Sequence, residues 1–402
     1  CPSECGLEVW TKGGKVEKIY GNYADPYNHG KMCGKGPLGC GLVYSTGRIL
    51  HPMMRVGKRG EGKFKRVSWD EALNHITKKI VEIKKKHGGG ESVIVDTGDM
   101  TDTQPYYRMG RGAIACPHVV EHGSICDVPR RFGPKNFING KRWEPDLMRP
   151  VLVRQSDGSL KEMGYDDLPL PKYIVYLGWN PFTATRIHYE SRGTVTAAIK
   201  GCKVIVVDPA MCNTAAWAGN NNGEWVPIRP GTDNHLLGAI LRYILEKGYE
   251  DKDFIAKYTK GFDEFAKEFK SYWGKTDSNG LKYFSLEWAE EKTTISKDKI
   301  KEIAELIVTT KAGGVVCGMN GIGHRFAGYI ASMLGTAIDV VTGNFEAPGG
   351  VIDCNQVRIS KDGYAGHFQG REITRVVNGK TVKGKQSDLH MDEKSDWPAG
   401  WE

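Results

Sequence analysis

The chain has 402 residues, 40% hydrophobic and 26% charged, which is ordinary for a soluble globular protein of two or three domains and excludes disorder, collagen and coiled coil. The 56 Lys and Arg residues exceed the 48 Asp and Glu residues by a net charge of +8, which suits an anionic ligand but not a nucleic-acid-binding protein. No window reaches the roughly 18 consecutive apolar residues of a membrane helix, so no direct membrane span is predicted.

The first 60 residues predict short strands and turns, with apolar runs at 7–10 and 16–20 separated by Gly13 and Gly14. A helix is predicted over 68–86, because Ser68 is a suitable N-cap with Glu71 three residues later.

The chain then alternates between strands and helices. Strands are predicted at 92–95, 173–177, 204–207 and 314–317. One helix is predicted to follow the second of these strands and to end at about residue 200, and further helices are predicted at 236–245, 299–308 and 329–341. Such alternation is typical of parallel strands joined by crossover helices. The predicted fold class is therefore α/β: a small Cys-bearing module, followed by parallel-sheet domains of the dinucleotide-binding type.

Three cysteines near the start have the spacing of metal ligands. Cys1 and Cys5 can reach one metal from a single turn, and Cys33 can join them through folding. A fourth ligand would come from a Cys upstream of residue 1 or from Cys40. Lys35 would offset the negative charge of such a site. For the cysteines, the alternatives are a zinc-ribbon-like site or buried free thiols. For Lys35, the alternative is an ordinary surface lysine.

A further candidate thiol is Cys126, which follows His122 and precedes Arg130 and Arg131. Cationic neighbours favour the thiolate, which is both a nucleophile and a metal ligand. A buried structural Cys is the alternative, and Cys116 competes for the same role. The remaining thiols with no companion at ligand spacing are interpreted as core or incidental residues: Cys202, Cys212, Cys317 and Cys354.

Several turns follow predicted strands in the way that phosphate-binding turns do. The Gly178 to Pro181 turn precedes a helix, and Asp208-Pro209 ends the next strand, where a carboxylate can accept hydrogen bonds from a ribose or a purine. The remaining turns are Gly231-Thr232-Asp233, in which Thr232 or Asp233 is expected to cap a helix, and the one that begins at Gly318. No G-x-G-x-x-G motif accompanies them, which disfavours an ordinary nicotinamide site.

Taken in order, these motifs resemble the catalytic subunit of the dimethyl sulfoxide reductase family of molybdopterin oxidoreductases. The motifs are Cys-x3-Cys at Cys1 and Cys5, Cys33-Gly-Lys35-Gly, Arg59-Gly-x-Gly with Ser68-Trp69-Asp70-Glu71-Ala72, Gly178-x-Asn180-Pro181, Val207-Asp208-Pro209, Arg229-Pro-Gly231-Thr232-Asp233 and Thr342-Gly343-Asn344 to Pro348-Gly349-Gly350. The resemblance extends to about residue 350 and implies that the chain is a fragment of a larger subunit.

The resemblance implies a [4Fe–4S] cluster on Cys1, Cys5 and Cys33, with Lys35 between cluster and pterin. It also implies a bis-molybdopterin guanine dinucleotide cofactor whose molybdenum or tungsten is bound by Cys126. Asn180, Asp208 and Asp233 would hold one guanine dinucleotide. The other cofactor-binding residues are expected in the same turns: Gly178, Pro209, Gly231, Thr232 and Gly318.

The implied domains are an iron–sulfur module at 1–60, the first part of a central α/β domain with the metal-ligand loop and an insertion at 61–170, a dinucleotide-binding-like domain at 171–350, and an irregular segment at 351–402.

Within the family, the segment from His122 to Cys126 is similar to the ligand loop of thiosulfate, polysulfide and arsenate reductases. Formate dehydrogenases carry His directly after the metal ligand, where this chain has Asp127. We therefore expect a reductase for a sulfur or arsenic compound, with Cys126, Asp127, His122 and Arg130 as catalytic residues. The alternatives are a formate dehydrogenase, a non-redox hydratase and a pterin-free structural homologue.

The expected partners are a small-molecule substrate, a ferredoxin-like iron–sulfur protein that transfers electrons and, in some relatives, a membrane anchor subunit. The resemblance favours the periplasmic or extracytoplasmic face of the membrane, with the cytoplasm as the alternative.

Overall fold

The computed structural model divides the chain into two compact units, Cys1–Thr46 with Ser124–Asn355, and Gly47–Gly123 with Gln356–Glu402. The residues that it describes are 5–25, 30–96, 109–120, 127–137, 143–145, 152–154, 160–162, 170–183, 188–325, 327–353, 372–377 and 380–385.

The chain begins with an antiparallel hairpin of β1 (Leu7–Lys12) and β2 (Lys15–Gly21), joined at Gly13 and Gly14. A short helix, α1 (Gly39–Val43), follows it. The short strands and turns predicted for this region are confirmed.

The second unit contains the next six elements. They are the strands β3 (Met53–Arg55) and β4 (Phe64–Arg66), the helix α2 (Trp69–His87), the strand β5 (Ile94–Asp96), a π-helix (Met109–Ile114) and the strand β6 (His118–Val120). The α2 prediction is confirmed, because Ser68 Oγ accepts a hydrogen bond from the Glu71 N–H and Gly88 ends the helix in the left-handed conformation.

The first unit resumes with α3 (Asp127–Phe137) and three short strands, β7 (Trp143–Pro145), β8 (Leu152–Arg154) and β9 (Leu160–Glu162). The main sheet of this unit consists of β10 (Tyr173–Leu177), β11 (Lys203–Val207), β12 (Gly223–Val226) and β13 (Gly313–Cys317). Its strand order is β12-β11-β10-β13, and all three neighbouring pairs are parallel. The predicted parallel sheet is therefore confirmed for the strands at 173–177, 204–207 and 314–317, whereas the strand predicted at 92–95 is β5, which pairs with β6 in the second unit.

Helices cover both faces of the sheet. They are α4 (His188–Ile199), α5 (Asn213–Ala218), α6 (Asp233–Lys247), α7 (Lys252–Tyr258), α8 (Phe262–Lys270), α9 (Leu286–Thr293), α10 (Lys297–Thr309), α11 (Met319–Gly323) and α12 (Gly328–Val341). Alternate residues of β10 face opposite layers: Tyr173, Val175 and Leu177 pack against α6, α9, α10 and α12, whereas Ile174 and Tyr176 pack against α4 and α5. Burial on both faces explains the continuous apolar sequence of the strand.

Toward the C-terminal end, β14 (Val351–Asp353) pairs with β7. The segment predicted to be irregular contains an antiparallel pair, β15 (Glu372–Val377) and β16 (Lys380–Lys385). Within the described part of the chain, no helix is both long and apolar enough to cross a membrane.

A buried polar network fixes the amino end of β13. Asn344, which is fully buried, accepts a hydrogen bond from the Gly313 N–H at 3.2 Å and donates to Tyr173 Oη at 3.0 Å and Thr342 Oγ1 at 2.8 Å. Two residues along the strand, the Val315 N–H donates to Asp339 Oδ1 at 3.0 Å. Each of these buried groups is satisfied by another, so the strand is fastened to α12 and to the residues that follow it.

Two of the cysteines in the sheet region are buried, and a third is partly accessible to solvent. Cys202 is 1% exposed, and burial raises the pKa of its thiol to about 12, although Lys172 nearby lowers it. Burial likewise raises the pKa of the Cys317 thiol, and the nearby Asp233 carboxylate raises it further. Cys212 is only half-buried. Cys202 and Cys317 are core thiols, as predicted, and Cys354 lies outside the described residues.

The variant Asn344→Ala should lower the free energy of unfolding by roughly 2–4 kcal/mol, because it leaves the buried Gly313 N–H without its hydrogen-bond acceptor and Tyr173 Oη without its donor. Urea denaturation followed by circular dichroism measures the change. Asn221→Ala, which removes an exposed amide bonded to the Trp217 carbonyl, is the matched control and should change stability by less than about 0.5 kcal/mol. Equal effects of the two variants would refute a stabilising role for the network.

The folded protein should react with iodoacetamide at Cys212 well before Cys202 at pH 8. The Cys202 thiol is both inaccessible and protonated there, because its pKa of about 12 lies far above the solution pH. Peptide mass spectrometry after timed quenching measures both rates, and labelling in urea is the control in which the difference disappears. Comparable rates in the folded protein would contradict the described burial.

Candidate cofactor site

The loops that follow β10 and β13 meet where the chain changes direction across the sheet. The connections from β10 lead through β11 to β12 on one side, whereas β13 lies on the other side of β10. Open α/β sheets bind ligands at such a switch point, outside the carboxyl ends of the strands. The predicted cofactor-binding residues from Gly178 to Gly318 lie in loops at this edge, except Asp233, which is the first residue of α6.

Backbone packing at the switch point requires glycine. Gly178 has φ +56°, and a Cβ on Gly318 would lie 2.1 Å from the Gly178 carbonyl oxygen. The Gly178 N–H donates to the Val207 carbonyl at 2.9 Å, and the Gly318 N–H donates to the Leu177 carbonyl at 2.8 Å. Two loops therefore approach one another closely, with no side chain between them.

Asn180 fastens the loop after β10 to α5. Its Oδ1 accepts hydrogen bonds from Thr214 Oγ1 at 2.7 Å and from the Thr214 N–H at 3.3 Å. The carboxamide oxygen is therefore used within the protein, and the amide nitrogen is the donor that Asn180 can offer to a ligand.

Asp208 forms a tight turn after β11. Its Oδ1 accepts a hydrogen bond from the Ala210 N–H at 2.9 Å, and its carbonyl accepts one from Trp225 Nε1 at 2.8 Å. Pro209 is exposed. The carboxylate keeps its second oxygen for other partners, at the same edge as the loops after β10 and β13.

The turn before α6 places a buried carboxylate at the start of the helix. Asp233 is 7% exposed, and burial raises its pKa, while the Arg325 guanidinium lowers it. Thr232 is the N-cap residue, but the predicted side-chain cap is not formed, because its hydroxyl donates to the Arg229 carbonyl at 2.7 Å. Gly231 in this turn has φ +81°.

Sequence reasoning missed Arg325, which joins two of these loops. Its guanidinium donates to the Gly231 carbonyl and, at 3.0 Å, to Asn234 Oδ1, and its Nε lies 3.5 Å from Asp233 Oδ2. The signal available in the sequence was its place just after the Gly318 turn, as the first cation beyond β13.

A buried arginine links α3 to the loop after β10. The Arg130 guanidinium lies 4.4 Å from the Trp179 ring centroid, and the two residues are 5% and 8% exposed. The Arg130 carbonyl accepts a hydrogen bond from Ser332 Oγ, and the Phe132 and Tyr329 rings meet edge to face at 5.2 Å. Helix α3 is therefore held against α12, and Arg130 is a packed residue.

The proposed metal-ligand loop lies partly outside the described residues. His122 and Cys126 are not among them, and Asp127 is described only as the first residue of α3. Their predicted roles remain predictions. The competing thiol, Cys116, is fully buried and donates to the Val93 carbonyl at 2.6 Å, which is typical of a structural cysteine.

Near the N-terminus, backbone hydrogen bonds bring together the segments that carry Cys5 and Cys33. The Asn22 N–H donates to the Gly6 carbonyl at 2.9 Å, and the Gly30 N–H donates to the Asn22 carbonyl at 2.8 Å. Burial raises the pKa of the Cys5 thiol, and the proximity of Cys33 raises it further. The two cysteines therefore lie in neighbouring segments of this module.

The other residues predicted for this cluster site are Cys1, Lys35 and the alternative ligand Cys40. Cys1 lies outside the described residues, within which no three His, Cys, Asp or Glu side chains are arranged to hold a metal. Lys35 is exposed two residues after Cys33, and Cys40 is half-buried in α1.

The residues present fit the cofactors that the resemblance implies. The loops after β10 and β13 meet through backbone rather than side chains, and two carboxylates stand at the same edge for a base or a ribose. The Cys5 and Cys33 thiols, on segments that backbone hydrogen bonds bring together, are soft donors suited to an iron–sulfur cluster.

Comparison with known proteins identifies the family. Residues 1–45 match the model of the molybdopterin oxidoreductase Fe4S4 domain, and residues 48–381 match that of molybdopterin oxidoreductase. A sulfite dehydrogenase of Allochromatium vinosum is 31% identical over 263 residues, which are 64% of this chain and 24% of that protein. A dimethyl sulfoxide reductase of Haemophilus influenzae is 29% identical over 375 residues, which cover 87% of this chain and 44% of that protein.

Among solved structures, acetylene hydratase from Pelobacter acetylenicus has the same fold, with a TM-score of 0.66 at 20% identity, covering 88% of this chain and 44% of that one. The chain thus spans less than half the length of each of these three proteins. It belongs to the molybdopterin oxidoreductase family, in the dimethyl sulfoxide reductase group, whose cofactors are a molybdopterin with molybdenum or tungsten and a [4Fe–4S] cluster.

Proposed function

We propose that this chain is part of the catalytic subunit of a respiratory reductase for a sulfur or arsenic compound. The observation that carries the proposal is the convergence of Asp208, Asp233 and the Gly178 and Gly318 turns at the switch point of one parallel sheet. That arrangement supports a guanine dinucleotide of a bis-molybdopterin cofactor, with molybdenum or tungsten as its metal.

The nucleotide would be held by groups of different kinds. The loops that follow Gly178 and Gly318 would approach a pyrophosphate with the backbone beyond these glycines, whose own N–H groups donate within the sheet. Asp208 and Asp233 offer carboxylate oxygens to a ribose and a purine base. Asn180, Pro209, Gly231 and Thr232 shape the loops that carry these acceptors.

When bound, the metal supplies a centre that cycles by two electrons, while the cluster passes electrons one at a time. We assign the metal to Cys126 and the cluster to Cys1, Cys5 and Cys33. The stacking of Arg130 on Trp179 supports a role for α3 in holding the chain that leads from Cys126. The buried guanidinium of Arg130 also contributes positive charge, which suits an oxyanion substrate.

For proton transfer, we assign His122 and Asp127, which flank Cys126 in the sequence. Lys35, two residues beyond Cys33, supplies a positive charge between cluster and pterin.

The substrate class is supported by sequence. The His122 to Cys126 segment is similar to the ligand loop of thiosulfate, polysulfide and arsenate reductases, and one relative is named as a sulfite dehydrogenase. A relative from Staphylococcus aureus is named as a putative formate dehydrogenase, at 28% identity over 351 residues. Asp127, in place of the His that follows the metal ligand in formate dehydrogenases, favours the reductase over that alternative.

We further propose that electrons reach this subunit from a ferredoxin-like iron–sulfur partner, which is linked to a membrane anchor subunit. The complex would work on the periplasmic or extracytoplasmic face of the membrane. Fractionation of the native organism and co-purification of an iron–sulfur subunit test this assignment; a soluble cytoplasmic protein without such a subunit would contradict it.

The two metal sites should respond separately to cysteine substitution in the complete protein, purified anaerobically. Cys33→Ala should lower the iron content and bleach the cluster absorbance, whereas Cys126→Ala should abolish turnover and spare the iron–sulfur spectrum. Elemental analysis, visible spectroscopy and a viologen assay give the three readouts.

Cys212→Ala is the control for these variants, because Cys212 is half-buried and has no ligand companion in the sequence. It should change none of the three readouts. Full activity of Cys126→Ala would mean that the ligand is misassigned, and wild-type protein without molybdenum or tungsten would remove the enzymatic interpretation.

Reduced viologen should be oxidised by the complete enzyme with at least one of thiosulfate, polysulfide, tetrathionate and arsenate. Formate is the test of the alternative, with oxidised viologen as its electron acceptor. Turnover of formate without turnover of any sulfur or arsenic compound would show that the subgroup is wrong, and hydration of acetylene without net electron transfer would favour the hydratase.

A further inference from the structure

Arg325 has no assigned role, yet it makes the contacts that join the two loops beside the switch point. It lies just beyond α11 and reaches back to the turn before α6. Its terminal nitrogens donate to the Gly231 carbonyl and to Asn234 Oδ1, and its side chain is only 20% exposed. Two N–H donors of the planar guanidinium group therefore bind Gly231 and Asn234, which lie before and after Asp233 in the sequence.

A third donor of the guanidinium group, Nε, lies near the Asp233 carboxylate. Arg325 Nε lies 3.5 Å from Asp233 Oδ2, and it is a buried nitrogen that has no hydrogen-bond partner within the described residues. The side chain of Asp233 is 9% exposed. A buried carboxylate is costly to ionise unless a cation stands beside it, and Arg325 is that cation.

We propose that Arg325 is a positioning residue that makes Asp233 selective for guanine, by binding Gly231 and Asn234 on either side of it and keeping the carboxylate ionised. The proposal rests on the proposed nucleotide site and adds to it the determinant of base choice. Arg325 acts through Asp233, and no contact between Arg325 and the nucleotide is required.

The chemistry of the bases explains the selectivity. The Watson–Crick edge of guanine carries two neighbouring N–H donors, which match the two acceptor oxygens of an ionised carboxylate. Adenine presents an acceptor nitrogen next to its amino group, so one carboxylate oxygen would face a lone pair. A protonated carboxyl would lose this discrimination, because one oxygen becomes a donor.

The charged groups around Asp233 set the pH dependence. Burial raises the pKa of Asp233, the Arg325 guanidinium lowers it, and the Asp208 carboxylate raises it. Cys317 and His235 lie nearby; burial raises the pKa of Cys317, and burial together with Arg325 lowers that of His235, so both are neutral near pH 7. Removal of Arg325 takes away the main influence that favours the Asp233 carboxylate, and its protonation then moves to higher pH.

The test uses the complete protein, produced in a host that cannot make molybdopterin, with GMP and AMP as probes. Isothermal titration calorimetry between pH 5.5 and 8 should show that wild type prefers GMP. Arg325→Gln should bind GMP about tenfold more weakly at pH 7, with little change for AMP, and its GMP affinity should fall at a higher pH than that of wild type.

Two further variants separate charge from packing. Arg325→Lys keeps the positive charge but not the fork, so it should bind GMP less tightly while retaining the wild-type pH profile. Arg242→Gln is the matched control, because Arg242 is a similarly buried arginine on α6 that donates to the Glu246 carboxylate and the Tyr283 carbonyl. It should leave nucleotide affinity and pH profile unchanged.

Wild-type affinity, preference and pH profile in Arg325→Gln would overturn the inference while leaving the nucleotide site intact. A wild-type protein that does not prefer GMP, or whose preference survives in Asp233→Asn, would instead overturn the proposed site and the inference with it. If Arg325→Gln does not fold, as judged by circular dichroism, the Lys variant decides: a pH profile shifted despite the retained charge would contradict the proposal.

Discussion

The close approach of two loop backbones at the edge of the parallel sheet is the constraint on which the candidate site depends. Gly178 and Gly318 each end a buried strand, and no side chain fits between them. The contact brings the loop after β10 and the loop after β13 to one place although they lead to helices on opposite faces of the sheet. Asp208, Asp233, Asn180 and Arg325 then lie in or beside the loops at this same edge of the sheet.

The sequence predicts the regular parts of this arrangement well. Apolar runs such as 173–177 and 204–207 are buried on both faces, which leaves them few alternatives to a central parallel strand. Turns that follow such strands must lie at a common edge, so the grouping of Asp208 with Asp233 follows from the order of elements. Ser68 was recognisable as a cap because its partner, Glu71, lies three residues away.

Contacts between residues distant in the sequence were not predictable in the same way. Arg325 reaches Gly231 and Asn234, and nothing in the local pattern around position 325 indicates those partners. Arg130 was expected among the catalytic groups because of its sequence neighbours, and the structure packs it on Trp179. The Thr232 hydroxyl donates to the Arg229 carbonyl and does not cap the helix, and helix-capping propensity alone does not reveal that choice. Such choices depend on tertiary packing, which periodicity does not encode.

The strand pairing also limits when the two loops at the sheet edge can come together. Residue 173 of β10 pairs with residue 313 of β13, whereas its other neighbour, β11, begins at residue 203. Closing so long a segment costs more chain entropy than local pairing, and the later strand leaves the ribosome last. During synthesis, β10 and β11 are therefore both available well before β13, and the loops after β10 and β13 can meet only once the chain has extended beyond Gly318.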